Sequence, residues 1–238
     1  MQPLTPATTY HIFNHANGFE NVFRENENFR FFLEKYRQYI IPVAETYAFC
    51  LMPNHFHLVV RMRKREVIEA MIRNKLDRTS IATSSNPNFS FSNPNSSNSN
   101  LSKVQNFGKV EVHVEDVAIE RFLSKQFANF FSCYTQAFNK MYKRMGSLFI
   151  KNFKREIITD KEHFINVIVY THRNPIHHGF CNRFTTWGYS SYNEIMEQKS
   201  DVVVAEKTAK VFGGVLLFEE THQRHLEKFN QLFDLETP

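Results

Sequence analysis

The stretch "AETYAFCLMPNHFHLVVRM", residues 44–62, has the pattern of a β-hairpin. Two runs rich in apolar, aromatic and β-branched side chains flank the turn-forming pair Pro53-Asn54. Side chains two residues apart in a strand point to the same face, so His55 and His57 are expected to share one face. The hairpin alone leaves two interpretations open, a polar rim on an ordinary strand or a pair of metal ligands.

Hydrophobic periodicity along the rest of the chain predicts further strands and helices. The predicted strands are residues 10–16, 44–52, 55–62 and 147–158, and the predicted helices are residues 25–40, 65–78, 116–143, 160–173 and 216–233. The helix at 160–173 is expected to open with a capping box of Thr159 and Glu162 and to end before Pro175. A packed loop is expected around Trp187. Hairpin-linked strands with helices between them indicate an α+β fold, an antiparallel sheet covered by helices.

The composition changes abruptly in the middle of the chain. Residues 84–102 are nearly all Ser and Asn, with Pro87 and Pro94 inserted. Such a segment cannot bury enough apolar surface to offset the entropy lost on ordering, so residues 80–110 are predicted to be a disordered insertion. We expect the insertion to interrupt a single domain, residues 1–200, which a helical extension follows at residues 201–238.

Composition also indicates which cellular compartment and which binding partners to expect. No apolar run of the 238 residues approaches the roughly 20 that a membrane helix needs, and no signal peptide is visible, so no membrane partner is expected. Cys50, Cys133 and Cys181 are scattered and form no CxxC pair, which favours a reducing cytoplasm. The net charge of +5 suits a nucleic-acid partner without demonstrating one.

The charge is concentrated in "NKMYKRMGSLFIKNFKR", residues 139–155. Its cations alternate with the aromatic residues Tyr142, Phe149 and Phe153, and they are Lys140, Lys143, Arg144, Lys151, Lys154 and Arg155. Cations among aromatic rings suit single-stranded nucleic acid, with phosphates on the cations and bases stacked on the rings. A solvated helix end followed by an amphipathic strand explains the segment equally well.

A later helix offers partners for the two histidines. In "YTHRNP", residues 170–175, Tyr170 and Asn174 are four apart and therefore lie on one helical face. If that face meets His55 and His57, the Asn174 amide oxygen can join two imidazole nitrogens around Mg²⁺ or Mn²⁺. Attack of the Tyr170 phenol on a DNA phosphate would then form a phosphotyrosine ester and release a 3′-OH, which can later rejoin the strand without ATP.

The segments "MPNHFHLVV" (52–60) and "YTHRNPIHHG" (170–179) resemble the single-tyrosine transposases of the HUH endonuclease superfamily. More closely, they are similar to the branch called REP-associated tyrosine transposases, with a correspondence that runs from about Tyr10 to Tyr192. The histidine pair alone is a weak signal. The histidine pair after Met-Pro-Asn, together with a tyrosine four residues before Asn-Pro in a later helix, is a strong one.

The resemblance implies a ferredoxin-like fold whose sheet carries the histidines and whose helix carries the nucleophile. It implies His55, His57 and Asn174 as metal ligands and Tyr170 as the nucleophile, and we add Arg173 to the expected DNA-binding cations. Substrates of this family are single strands beside imperfect DNA hairpins. Some members are dimers that exchange the tyrosine helix and others are monomers, so a homodimer is expected as one of two possibilities. The Ser/Asn insertion and the C-terminal extension depart from compact members.

Several alternatives remain open at this stage. A catalytically inactive hairpin-DNA-binding protein of the same fold is the main alternative, and a metallohydrolase acting on small molecules ranks last because no Asp or Glu accompanies either motif. Tyr170 could instead anchor a helix end at an interface. Among competing tyrosines, Tyr134 is expected in the core and Tyr142 lacks an amide four residues later. The remaining histidines near the motifs have weaker roles: His11 and His15 are assigned none, and solvent exposure is favoured over phosphate contact for His172, His177 and His178.

Overall fold

The structure, a computed structural model, describes residues 2–18, 20–84 and 114–234. Its strands are β1 Thr9–His15, β2 Ala44–Met52, β3 His55–Met62 and β4 Lys154–Ile157. Its α-helices are α1 Asn26–Tyr39, α2 Arg65–Ser84, α3 Asp116–Met141, α4 Lys161–His177, α5 Tyr192–Met196, α6 Ala205–Phe212 and α7 Val215–Asp234. The predicted insertion at 80–110 lies outside the described residues except for 80–84, the last turn of α2. In the part of the chain that is described, no helix has the length and apolar character needed to cross a bilayer.

The four strands form one antiparallel sheet in the order β2-β3-β1-β4. This order and the chain path through α1 and α3 correspond to the ferredoxin-like βαββαβ arrangement. The predicted α+β class with an antiparallel sheet and packed helices is therefore confirmed. The register places Phe13 of β1 opposite His57 and His15 opposite His55. Because paired residues of neighbouring strands point to the same side, these four side chains share one face of the sheet.

Helices α1 and α3 cover the opposite face and form the aromatic core. Phe32 of α1 packs against Phe56 of β3 and Phe130 of α3, with ring centroids 5.4 and 4.7 Å apart. Tyr134 of α3 is 1% exposed and donates its hydroxyl to the Val22 carbonyl, which confirms the core position predicted for it. Burying each of these rings contributes about 1.5–3 kcal/mol, so the aromatic core stabilises the packing of the sheet against the two helices.

The histidine face of the sheet is covered in part by α4 and α6, and α7 packs against these two helices. α6 lies in the predicted extension at 201–238 and touches the edge strand, where the Thr208 hydroxyl donates to the Tyr47 carbonyl of β2. The segment before α5 extends the same edge, because the backbone N–H of Leu51 donates to the carbonyl of Tyr189. Trp187 packs there as predicted and donates its indole N–H to the Leu51 carbonyl. The short helices α5 and α6 were not predicted, whereas α7 closely matches the predicted C-terminal helix.

The start of α4 differs from the predicted capping box. The N-cap residue is Asp160, whose Oδ1 accepts a hydrogen bond of 2.8 Å from the backbone N–H of His163. Thr159 instead donates its hydroxyl to the Asp160 carboxylate. The predicted pair of Thr159 and Glu162 is therefore wrong, because the carboxylate satisfies the free N–H and also gains from the helix dipole.

The end of α4 also differs from the prediction, since the helix continues through Pro175 to His177. Pro175 cannot donate to the carbonyl of Thr171, but this position lies in the last turn, where one missing bond is tolerated more readily than in the helix centre. The backbone N–H of His178 closes the turn on the carbonyl of Asn174. Asn174 therefore lies on regular helix, which fixes the direction of its side chain.

The predicted strand at 147–158 forms only in its C-terminal part, as β4. Before β4, Phe149 makes one isolated bridge to Ala16. Asn152 has φ +67°, a left-handed conformation that a regular strand does not contain. The basic segment therefore leaves the sheet as a loop and joins it again at Lys154.

Candidate metal and nucleophile site

β3 presents His55 and His57 on the sheet face that α4 partly covers. Both side chains are buried, and their ring centroids lie 5.2 Å apart in an edge-on arrangement. The alternation predicted for the strand is confirmed, since both imidazoles lie on the same side and Phe56 packs into the opposite core. The structure thus brings the two imidazoles to a common point at the start of β3.

His55 has one ring nitrogen engaged and the other directed at α4. Its Nδ1 lies 2.7 Å from Oδ1 of Asn54, and its Nε2 lies 3.4 Å from Oδ1 of Asn174. A neutral imidazole carries a single N–H, and the short contact to an amide oxygen places that proton on Nδ1. Nε2 and the Asn174 oxygen are then two acceptors that face each other. Such a pair suits two ligands of one cation.

Asn174 is held in this orientation by its own helix. Its Nδ2 donates to the carbonyl of Tyr170, 3.0 Å away and one turn earlier, and the side chain is 2% exposed. Because the amide nitrogen is engaged, the amide oxygen is the group presented to His55. The predicted third ligand is therefore beside the first, although the two are 119 residues apart in the chain.

His57 is oriented by a residue to which the sequence assigned no role. Its Nδ1 lies 2.9 Å from Nε2 of His11, which is itself 6% exposed. When His57 donates this hydrogen bond, its Nε2 keeps a lone pair for a cation. Ligating histidines commonly donate their second ring N–H in this way, which fixes the tautomer and the ring direction. His11 is thus a candidate positioning residue.

Burial keeps these three imidazoles neutral. Loss of hydration lowers the pKa of His11 and of His55 to about 4 and the pKa of His57 to about 2, and nearby imidazoles add to each reduction. A neutral imidazole is the form that binds a metal ion, because the lone pair must be free. The site therefore offers lone pairs without first releasing protons at neutral pH.

Tyr170 lies beside this pair, one turn before Asn174 on α4. Its ring packs edge-on against His57 with centroids 5.4 Å apart and against His11 at 6.0 Å. The side chain is 43% exposed, so one side of the phenol contacts the imidazoles while the other faces solvent. The four residues predicted for the site therefore lie together within one chain.

Further imidazoles and a cation form a rim around the site. The ring of His15 stacks on His55 at 4.7 Å, and the ring of His178 lies 5.1 Å from His55. Lys154 of β4 lies on the same face, with Nζ 5.8 Å from the ring centroid of Phe13. These groups give the rim hydrogen-bond donors and a positive charge, which suits a phosphate backbone.

The other predicted DNA-binding cations are dispersed. Arg155 points to the opposite face of the sheet from Lys154, as its pairing with Ile12 requires. Arg144 is engaged in the loop after α3, where it donates to Glu20 at 2.6 Å. Lys140, Lys143 and Lys151 are exposed, and Arg173 is half-buried on α4. Lys154 and Arg155 therefore lie on β4, Arg173 lies on α4, and the remaining cations lie on α3 and in the loop that follows it.

His172 is neither exposed to solvent nor placed to contact a phosphate, the two roles considered for it from the sequence. It is 1% exposed, and its two ring nitrogens lie 2.9 Å from Nε2 of His222 and 2.8 Å from Oγ of Ser191. The expectation of a solvated histidine is wrong, because α7 and the segment before α5 pack over this side of α4. His177 and His178 are exposed, as expected.

The signal for His11 and His15 was present in "YHIFNHA", where the two histidines are four residues apart. Because side chains alternate along a strand, this even spacing places both on one face of β1. Only the pairing of β1 with β3 decides whether that face is the one that carries His55 and His57. Periodicity identifies a face within a strand, but it does not identify the register between strands.

The donor set fits a metal ion that prefers mixed nitrogen and oxygen ligands. Within the described residues, no three His, Cys, Asp or Glu side chains form a cluster that could hold a metal, so the Asn174 amide is needed as the third donor. Two neutral imidazoles and an amide oxygen leave coordination positions for water and phosphate oxygens, which suits Mg²⁺ or Mn²⁺. The facing lone pairs of His55 and Asn174 are the observation that favours an ion there.

Comparison with known proteins gives a weak structural likeness. The chain is similar to a solved structure of a REP-associated tyrosine transposase bound to a REP hairpin, with a TM-score of 0.45, 12% identity, and coverage of 83% of this chain and 84% of that chain. No family model and no curated protein matches the sequence.

Proposed function

We propose that this protein is a metal-dependent single-stranded DNA endonuclease and transposase that cleaves and rejoins DNA next to hairpins. The observation that carries the proposal is the meeting of His55, His57 and Asn174 beside the exposed phenol of Tyr170. The motif resemblance and the geometry support the same four residues. Spacing within each motif does not determine the distance between the motifs, so the geometry adds this distance to the motif resemblance.

The metal would be held by Nε2 of His55, Nε2 of His57 and Oδ1 of Asn174. A bound Mg²⁺ or Mn²⁺ supplies Lewis-acid polarisation of the scissile phosphate. The chain itself supplies the orientation. Asn54 and His11 engage the Nδ1 atoms of the two imidazoles, and the backbone of α4 engages the amide nitrogen of Asn174. With these groups fixed, the ligand atoms do not need to reorganise when the ion binds.

The phenol oxygen of Tyr170 would act as the nucleophile. It forms a bond to phosphorus while the bond from phosphorus to the 3′ oxygen breaks, and the phenolic proton ends on the released 3′-OH. The product is a 5′-phosphotyrosine ester. Attack of a 3′-OH on this ester reverses the exchange and restores the phenol. Because one phosphate ester replaces another, rejoining needs no nucleotide cofactor.

The substrate class follows from the surroundings of the phenol and from the family resemblance. His15, His178 and Lys154 form a rim that suits phosphates flanking the scissile bond. By the resemblance, the DNA would be a single strand beside a hairpin, in repeats dispersed in a genome. The contact between Tyr170 and His57 of the same chain supports an active site built within one subunit, and a homodimer remains compatible with it. The proposed setting is the cytoplasm.

The proposal is tested with a labelled hairpin oligonucleotide that carries single-stranded extensions. Incubation with the protein and Mn²⁺ should give a covalent adduct on a denaturing gel. Tyr170→Phe should abolish the adduct, because it removes only the nucleophilic oxygen. Tyr142→Phe is the matched control and should leave the adduct unchanged.

Persistence of the adduct in Tyr170→Phe would overturn the assignment of the nucleophile. Hairpin binding that survives a chelator, with no cleavage of any hairpin tested, would favour the non-catalytic DNA-binding protein instead.

A further inference from the structure

A groove lies on the face of the sheet opposite the histidines, between α3 and the loop that leads into β4. Its volume is about 440 Å³, within the range of pockets that hold a ligand of nucleotide size. Its walls combine hydroxyl and amide side chains with aromatic rings and a guanidinium, and they include Asn14, Phe131, Ser132, Gln136, Phe153 and Arg155. The metal site proposed above uses none of these residues.

Arg155 is the unusual member of this groove. Its side chain is half-buried, and its buried Nε has no hydrogen-bond partner among the residues that the structure describes. No carboxylate of the described residues forms an ion pair with it. Burial lowers the pKa of its guanidinium, and Tyr10 and Glu120 only partly oppose this effect. Buried guanidinium donors are normally satisfied, so a donor without an acceptor that also lines a groove indicates a missing acceptor.

The neighbours of Arg155 indicate the chemistry of the missing partner. The guanidinium carbon lies 5.2 Å from the ring centroid of Phe153, and the exposed Lys151 also lines the groove. An aromatic face, a guanidinium plane and nearby amides suit a nucleobase, which stacks on rings and accepts hydrogen bonds at its edge. A free inorganic anion would use the cations but would gain nothing from the ring.

The groove is close to the histidine site across the edge of the sheet. β4 is an edge strand, and its consecutive residues Lys154 and Arg155 point to the histidine face and to the groove. β1 repeats this arrangement, because Asn14 lines the groove and His15 belongs to the rim. A DNA strand that crosses the edge of β4 therefore meets the rim on one side and the groove on the other.

We propose that this groove binds one unpaired nucleotide of the single-stranded DNA beside the hairpin. The base packs against Phe153, and Arg155 donates to an acceptor on the base or its phosphate. This inference rests on the proposed function, since it names how the same enzyme recognises single-stranded flanks. It assigns to Arg155 a defined contact on the face opposite the chemistry.

The test compares two fluorescent probes in the presence of EDTA, so that binding is measured without cleavage. One probe is an imperfect hairpin with oligo-thymidine extensions, and the other is the same hairpin with blunt ends. R155Q should weaken binding of the extended probe about tenfold, the effect expected of one lost stacked and hydrogen-bonded base, and should leave the blunt probe unchanged. R30Q, which removes an exposed charge from α1, should affect both probes equally and only slightly.

A second readout locates the bound nucleotide. 2-Aminopurine placed at successive positions of the extension should be quenched at one position in the wild type, and Phe153→Leu should restore its fluorescence. Thermal unfolding checks the fold, and R155Q should not lower the melting temperature because it removes a half-buried charge that forms no ion pair with the described residues.

The outcomes separate the two proposals. Equal weakening of both probes by R155Q, or no weakening of either, overturns the groove while leaving the adduct assay unaffected. A uniform response of 2-aminopurine along the extension also overturns it. Failure of the wild type to bind either hairpin would contradict the proposed function instead.

Discussion

Two histidine clusters lie on either side of α4, and they differ in how their ring nitrogens are used. In the first, His55 and His57 each engage Nδ1 with a neighbour, which leaves Nε2 of each ring for the proposed ion. In the second, His172 and His222 have a partner for every ring nitrogen. Both clusters are buried and neutral. Burial is therefore common to both clusters, and the proposed site differs in having a ring nitrogen that faces another acceptor instead of a donor.

The second cluster is a complete hydrogen-bonded chain. The backbone N–H of Phe49 donates to Oγ of Ser191, whose hydroxyl can donate to Nε2 of His172. Nδ1 of His172 can then donate to Nε2 of His222, and Nδ1 of His222 donates to the Phe218 carbonyl over 2.7 Å. No lone pair is left for a metal. This cluster therefore joins β2, α4 and α7, and it holds the helix that carries Tyr170.

The largest expected effect is on metal binding, which we expect only of the cluster that contains His55 and His57. His57→Ala should abolish detectable Mn²⁺ binding and reduce adduct formation on the order of 10³-fold, because the metal contributes several kcal/mol to the transition state. Electron paramagnetic resonance of Mn²⁺ measures binding, and the denaturing gel measures the adduct. His225→Ala on α7 is the control. Retention of tight Mn²⁺ binding by His57→Ala would contradict the ligand assignment.

The second prediction concerns the other cluster, and its expected effect is on stability instead of metal binding. His172→Ala should lower the free energy of unfolding by about 2–4 kcal/mol, because it leaves a cavity and unsatisfied partners on Ser191 and His222. Urea denaturation measures this change. His177→Ala, an exposed histidine of the same helix, should change stability by less than about 0.5 kcal/mol. A loss of similar size in both variants would show that the buried chain does not stabilise α4.

The third effect concerns the partner of His57. His11→Phe should weaken Mn²⁺ binding about 10–100-fold, the range typical for loss of a group that orients a ligand. His11→Gln retains a side-chain acceptor and should recover part of the affinity. Titration of Mn²⁺ into each variant gives the dissociation constants. If the wild type binds Mn²⁺ and His11→Phe binds it with equal affinity, His11 does not position His57.

The smallest effect is a dependence of stability on pH. Burial lowers the pKa of His222 to about 3, so the unfolded chain binds more protons than the folded chain below the ordinary histidine pKa of about 6.5. The contribution of His222 is fully present above pH 6.5 and is lost as pH falls towards 3, at about 1.4 kcal/mol per pH unit. The titratable groups that face or influence it are His172, Tyr192 and His225.

Urea denaturation at pH 7.5 and pH 5.5 measures this dependence in the presence of EDTA. The wild type should lose about 1.4 kcal/mol more than His222→Phe between these conditions. An identical loss of unfolding free energy in both proteins would show that folding does not lower the pKa of His222.

Most of the site followed from local patterns in the sequence. Two-residue spacing in β3 and four-residue spacing in α4 define which side chains share a face, so His55 with His57 and Tyr170 with Asn174 could be paired in advance. The hairpin at 44–62 and the apolar stripes of α1 and α3 likewise define the layers of the fold. These features depend on neighbours within a few residues.

The remaining features depend on contacts between distant segments. The role of His11 requires the register of β1 against β3, and the burial of His172 requires α7 to pack on α4. The groove at Arg155 requires the basic loop to leave the sheet before Lys154. Composition and spacing do not determine these contacts, since a register shift of one residue would reverse the face of every side chain in β1.

The most direct test of the proposed metal site is an anomalous difference map from crystals soaked in Mn²⁺. One peak is expected, bonded to Nε2 of His55, Nε2 of His57 and Oδ1 of Asn174, with the Tyr170 hydroxyl facing the open side of the ion. A peak at the pair formed by His172 and His222, ligation through the Nδ1 atoms, or no peak near β3 would contradict it.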